Sequence, residues 1–118
     1  MHPRLVQAPR EPWPSGYGDV VGVLDVSLES LAERHSLYLF AGDDNLGNYR
    51  AAAIRLDSGR VVGLLFHEGG PEGETEIYAD AEDEPAEVIG ELLGSLALPP
   101  TTCSWLRGGS QRAEIAEH

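Results

Sequence analysis

The sequence contains no lysine, only one cysteine and no long apolar run. The single cysteine, Cys103, excludes an intramolecular disulfide and a zinc site built from cysteines. No segment approaches the roughly 20 apolar residues that a membrane-spanning helix needs. Pro3, Pro9, Pro12 and Pro14 stand where a signal peptide would have its apolar core, so the sequence predicts a cytoplasmic protein.

Residues that could bind a metal or a cofactor are also scarce. The four histidines are spread along the chain, and none stands at metal-ligand spacing from another ligand. The segment Asp43–Asn48 resembles the start of a calcium loop, but Asn48 stands where that loop has its invariant glycine. Gly69-Gly70-Pro71 lacks the lysine and the following helix of a phosphate-binding loop, and its neighbours are acidic. We therefore predict no metal site and no cofactor.

One catalytic alternative stays open from the sequence. His67 lies beside Glu68 at a predicted strand end, and a small enzyme could use them together with Asp43 and Asp44 for acid–base chemistry. No nucleophile or third group is placed beside His67, so a solvated histidine at a strand end is the preferred interpretation. We predict a protein that is not an enzyme, with Cys103 as a buried structural thiol.

Apolar runs predict the β-strands. The runs Tyr49–Leu56 and Arg60–His67 are joined by Asp-Ser-Gly, which is typical of a β-hairpin. A third run, Thr75–Asp80, extends the hairpin to a meander, with this run as an edge strand. The middle strand is apolar on both faces, which indicates a central strand covered twice. Three more strands are predicted at Asp19–Val26, Leu37–Phe40 and Thr101–Leu106, and residues 41–48 are predicted to form a loop.

Two helices are predicted. Ser27 is suited to cap the first, Leu28–His35, because its hydroxyl can accept from free backbone N–H groups. The second runs from Pro85 to about Leu98 with an apolar stripe on one face. Gly90 and Gly94 weaken this helix, and close approach to the sheet would explain them. Together these elements predict an α+β fold, with a mainly antiparallel sheet of five to six strands and two helices packed on one face.

The chain is expected to form one domain with two extensions. Residues 1–16 are a Pro-rich N-terminal arm whose Trp13 covers an apolar edge of the domain, residues 17–107 are the single α+β domain, and residues 108–118 are a C-terminal tail. The predicted core contains Leu64, Phe66, Ile77, Leu92 and Leu96.

Negative charge is the most unusual property of the chain. The formal net charge is −12, from 20 acids against 8 arginines. This charge argues against nucleic acid and anionic membranes as partners, since both need a positive surface. All arginines fall outside residues 61–106, where the acids accumulate. We predict that one acidic surface binds a basic protein through Glu68, Glu72, Glu74, Glu76, Tyr78, Asp80, Glu82, Asp83 and Glu84. The alternative is that the acids only keep the chain soluble.

A family resemblance agrees with this charge. The strand pattern, the acidic Glu84-Pro85-Ala86-Glu87 start of the last helix, and the ending with Pro99-Pro100 and Trp105 resemble small immunity proteins of bacterial toxin systems, over roughly residues 19–107. The resemblance implies a stoichiometric inhibitor that masks a nuclease or other basic toxin. Tyr78 and Trp105 are the aromatic candidates for contacts that anchor such a partner, and Trp105 could equally be a core residue. The further alternative is a homodimeric structural or assembly subunit, motivated by the strand with two apolar faces.

Overall fold

The computed structural model describes residues 6–7, 19–44, 47–80 and 82–107. These residues form seven β-strands in one sheet and two α-helices, which confirms the predicted α+β class. The strands are β1 (Val6–Gln7), β2 (Asp19–Leu24), β3 (Phe40–Asp44), β4 (Gly47–Arg55), β5 (Val61–His67), β6 (Thr75–Ala79) and β7 (Cys103–Leu106), and the helices are α1 (Leu28–His35) and α2 (Pro85–Leu96). The predicted C-terminal tail, Trp13 and most of the N-terminal arm lie outside the described residues.

The strand order is β1-β4-β5-β6-β2-β7, and every neighbouring pair is antiparallel. Strand β3 pairs with the first half of β4, while the two residues of β1 pair with its end. The predicted meander β4–β5–β6 is confirmed, with β5 in its centre. The prediction that β6 is an edge strand is wrong, because β2 pairs with its other side. That pairing joins segments about 55 residues apart, which a local pattern does not reveal.

The segment between α1 and β4 differs from the prediction. The expected strand Leu37–Phe40 begins only at Phe40, and it continues to Asp44 through residues that were predicted as a loop. Asp44 stands opposite Gly47, so a two-residue connection closes this hairpin. Residues rich in Gly and Asp have low strand propensity, but pairing with β4 supplies the backbone hydrogen bonds that override it.

Both helices begin as the sequence predicts. The backbone N–H of Ser30 donates to Ser27 Oγ at 3.1 Å, which is the expected N-terminal cap of α1. Pro85 occupies the first turn of α2. The helices are followed by Ser36 and Ala97, both in the left-handed conformation with φ of 55° and 57°. No helix in the described ranges is long and apolar enough to cross a membrane.

A single apolar core lies between the two helices and one face of the sheet, here called the inner face. Buried residues of both helices share this core with buried residues of the four central strands. The predicted packing of two helices on one face is therefore confirmed. Of the five predicted core residues, four are buried and Phe66 is partly buried against the same core. The core includes Val21, Leu24, Leu28, Leu31, Ile54, Val62, Leu64, Ile77, Val88, Ile89, Leu92 and Leu96.

The opposite, outer face of the sheet follows from the strand register. It presents small or apolar residues of β4 and β5 in its middle, and Ala51 and Leu65 there are only 0% and 5% exposed in the single chain. The second apolar face of β5 is therefore already covered within one chain. The outer face comprises Tyr49, Ala51, Ala53, Gly63, Leu65, His67, Glu76, Tyr78, Val20, Val23 and Trp105.

Close approach between α2 and the sheet occurs at a glycine of the sheet. A Cβ on Gly22 would lie 2.9 Å from Ile89 Cδ1 and 3.1 Å from the Trp105 carbonyl oxygen. A Cβ on Gly94 would meet nothing within 4 Å, so the predicted reason for Gly94, contact with the sheet, is wrong. Gly94 lies on the exposed face of α2.

Candidate binding surface

The β5–β6 loop is attached to its neighbours on both sides. The backbone N–H of Glu68 donates to the Asn48 carbonyl at 2.9 Å, which joins the loop to the β3–β4 hairpin. At the other end, the buried hydroxyl of Thr75 donates to the Val26 carbonyl at 2.7 Å. The acidic side chains of this loop are thus carried by an anchored segment.

Acidic residues are distributed along this end of the sheet, from β3 at one side to the end of β2 at the other. Asp43 stands opposite Asn48, to which the loop is bonded, and Leu24 stands opposite Thr75, so Asp25 follows beside the loop. Glu72 and Glu68 are exposed, and so are Asp25 and Asp43. We call this group the loop-end surface, which consists of Asp25, Asp43, Glu68, Glu72 and Glu74.

Within the described part of the chain, the side chains of the loop-end surface form no ion pair. Arg50, which belongs to the neighbouring stretch of β4, is engaged by Glu29 instead, with Arg50 Nη1 3.2 Å from Glu29 Oε1. Both of these side chains are largely exposed, so their attraction is weak. Among the described residues, the loop-end surface therefore carries negative charge without an ion-paired arginine, and Arg50 lines one cavity together with Glu72.

At the opposite end of the sheet, Arg60 compensates the acids. Its guanidinium lies 3.2 Å from Glu91, 3.3 Å from Glu87 and 3.8 Å from Asp83. Partial burial acts to lower the pKa of Arg60, but these carboxylates, with the hydrogen bond to Glu91 foremost, outweigh it and raise that pKa. Arg60 remains charged and ties the β4–β5 hairpin to α2.

The predicted acidic surface is divided by strand β6. Glu68, Glu72 and Glu74 lie at the loop end, while Glu76 and Tyr78 lie on the outer face of β6. The remaining predicted residues follow β6 at its other end, a separation of roughly 15 Å for a strand of this length. There Asp83 pairs with Arg60, and Asp80 Oδ1 accepts from the Glu82 backbone at 3.0 Å. The residues at that end are Asp80, Glu82, Asp83 and Glu84.

His67 is more enclosed than predicted. Its side chain is 13% exposed, so the interpretation as a solvated histidine is wrong. His67 Nδ1 lies 3.4 Å from Glu76 Oε1, and the Tyr49 ring packs edge-on with ring centroids 5.9 Å apart. The cause is the register, which places Tyr49 and His67 directly opposite each other. Cys103 is buried, as predicted.

A groove of about 340 Å³ opens between the outer face and the β5–β6 loop. The register puts Leu65, Glu76 and Val23 side by side on the sheet side of the groove, and three carboxylates line it in all. We call it the outer groove. His67 and Glu68 both line it, whereas Asp43, the third described candidate of the catalytic alternative, does not. The carboxylates are those of Glu68, Glu74 and Glu76.

Trp105, one of the two aromatic anchor candidates from the sequence, borders this region and is not a core residue. It is 49% exposed on the outer face, and its Cα partner across β2 is Val23. Simple alternation along β7 would place Trp105 on the same face as the buried Cys103. An irregularity in the pairing of β2 with β7, between Val23 and Leu24, breaks that alternation, and the sequence of β7 alone does not show it. Neither Val23 nor Leu65 was predicted as part of a site.

The described residues contain no group of three or more His, Cys, Asp or Glu side chains that could hold a metal ion.

No protein-family model, curated protein or solved structure matches the chain.

Proposed function

We propose that the protein is a non-enzymatic binding protein that engages a basic protein through its loop-end surface. The observation that carries the proposal is the gathering of five acids at one end, where none is paired within the described residues. Clustered like charges repel one another and cost stability. A basic partner would remove this repulsion and would be attracted over long distances.

An immunity-type inhibitor in the bacterial cytoplasm is the most concrete form of this function. A nuclease that acts on nucleic acid needs a positive surface, and a compact acidic domain can cover such a surface stoichiometrically. The net charge of −12 and the resemblance in strand pattern and acidic helix start support this form. The proposal includes neither nucleic acid nor a membrane as a partner.

Charge reversal tests the proposal with a matched control. The variant Glu72→Lys/Glu74→Lys changes the loop-end surface, and Asp57→Lys/Glu82→Lys makes the same change in net charge at the opposite end. A partner is first captured from the source cells on the immobilised protein and identified, and its association kinetics are then measured. We expect a basic partner whose association rate falls about tenfold or more with the loop-end variant and much less with the control.

Salt provides the second arm of this experiment. Exposed charges are screened beyond about 8–10 Å at physiological ionic strength, so raising salt should slow association with the unmodified protein in the same way. An acidic partner, or an association rate that changes neither with salt nor with the loop-end substitutions, would exclude the electrostatic mechanism.

A further inference from the structure

Three residues form a straight row across the outer face beside the outer groove. The register places Trp105 of β7 opposite Val23 of β2, and Val23 opposite Glu76 of β6. Neighbouring strands are about 4.8 Å apart, so the Trp105 and Glu76 positions are separated by about 10 Å, with Val23 between them. An indole, an aliphatic side chain and a carboxylate thus follow one another along one line.

The row is accessible in the single chain. Trp105 is 49% exposed, which is unusual for a large aromatic side chain, and the Glu76 side chain is 38% exposed. Val23 is partly buried and lines the outer groove together with Leu65. A groove of about 340 Å³ has room for one long side chain of a partner, and Trp105 lies one strand beyond its lining residue Val23.

We propose that the outer groove receives an arginine side chain of the basic partner. The guanidinium would stack on the Trp105 ring and donate to the Glu76 carboxylate, while its methylene stem would cover Val23. Arginine fits this row better than lysine, since its planar group stacks on aromatic rings and donates two parallel hydrogen bonds to a carboxylate. The inference rests on the proposed function and names the anchoring contact of that partner.

Charge selects this occupant over others. Glu68, Glu74 and Glu76 line the groove, whereas no arginine does among the described lining residues. An uncharged apolar ligand would leave Glu68 and Glu74 without a cation, whereas Glu76 Oε1 already contacts His67 Nδ1 at 3.4 Å and the Tyr78 hydroxyl at 3.5 Å. A second copy of the chain would bring another net charge of −12 to the same face. A cation with an apolar stem would pair with the carboxylates of the groove and cover its apolar side chains.

The test uses the full chain with hexa-arginine and hexa-lysine as probes of equal charge. Amide and indole NMR signals are followed during titration at about 0.1 M salt. We expect hexa-arginine to bind about 3- to 10-fold more tightly than hexa-lysine, and to shift the signals of Val23, Glu76 and the Trp105 indole. Trp105→Ala and Glu76→Gln should remove this preference. Tyr38→Ala is the matched control, because Tyr38 is the other large aromatic that is exposed within the described ranges, at 68%.

The outcomes separate the groove from the general function. Equal binding of both peptides that is weakened only by Glu72→Lys, a loop-end substitution outside the groove lining, would overturn the arginine site and leave the proposed function intact. Loss of preference in Tyr38→Ala would also overturn the site. Tighter binding of hexa-arginine by Arg112→Gln would show that the chain's own tail occupies the groove, which would overturn a partner as its occupant. Absence of binding by both peptides would contradict the groove and the loop-end surface together.

Discussion

At the scale of single residues, Gly22 has too little space for a side chain between the sheet and α2. An alanine here would place its Cβ 2.9 Å from Ile89 Cδ1 and 3.1 Å from the carbonyl oxygen of Trp105, and that backbone oxygen cannot move without disturbing the pairing of β2 with β7. We expect Gly22→Ala to lower the free energy of unfolding by about 1–3 kcal/mol. Urea denaturation measures this change.

Gly94→Ala is the matched control for Gly22→Ala. Its Cβ would meet no atom within 4 Å, and alanine is the better helix former, so we expect a gain of up to about 1 kcal/mol. If both variants lose stability equally, the loss in Gly22→Ala does not come from crowding against α2 and must reflect a backbone effect that the two glycines share.

At the scale of elements, Glu91 connects the β4–β5 hairpin to α2. Glu91 Oε2 accepts from the Ser58 backbone at 2.9 Å, and Oε1 accepts from Ser58 Oγ at 2.7 Å and Arg60 Nη1 at 3.2 Å. We expect Glu91→Gln to cost about 1–2 kcal/mol and to speed amide hydrogen exchange in the hairpin, because a neutral amide accepts these bonds less strongly.

Glu29→Gln is the control for Glu91→Gln. Glu29 also contacts an arginine, Arg50, but their side chains are 72% and 46% exposed, so its replacement should cost less than about 1 kcal/mol. Equal costs for the two variants would mean that the hydrogen bonds of Ser58 add nothing to the ion pair.

The elements themselves were largely predictable, because their signals are local. The Ser27 cap, Pro85 and the Asp-Ser-Gly turn each fix a helix start or a hairpin within a few residues. What depends on distant pairing was missed. The extension of β3 needs β4, and the position of β6 inside the sheet needs β2. For Trp105 the sequence leaves open whether it is an anchor or a core residue, and only the register of β7 with β2 decides this.

The candidate site was predictable in composition and not in arrangement. The sequence identifies the acids from Glu68 to Glu84, but a strand separates them into two ends, and Arg60, which stands outside the acidic stretch, compensates one end. Residues that are adjacent in sequence are brought apart by an extended strand. Asp25 and Asp43, which are distant in sequence, are brought to the loop end by the sheet.

At the scale of the whole molecule, one chain already covers its central strand on both sides. Leu65, which motivated the homodimer hypothesis, is 5% exposed without a second subunit, and copies with a net charge of −12 repel each other. We expect a monomer by light scattering at about 100 μM protein and low salt. A dimer that Trp105→Ala dissociates would instead assign the outer face to a second copy.

The residue that follows each of the two helices has a strained backbone conformation. Ser36 and Ala97 adopt left-handed backbone conformations that glycine adopts without steric cost, and each such residue costs about 1 kcal/mol. Neither belongs to the loop-end surface or the outer groove. Natural chains stay only somewhat above the stability they need, and selection does not remove strain that folding tolerates. Glycine at these two positions would therefore raise the stability of the fold. Substitutions of the charged surface that lower stability could then be tolerated.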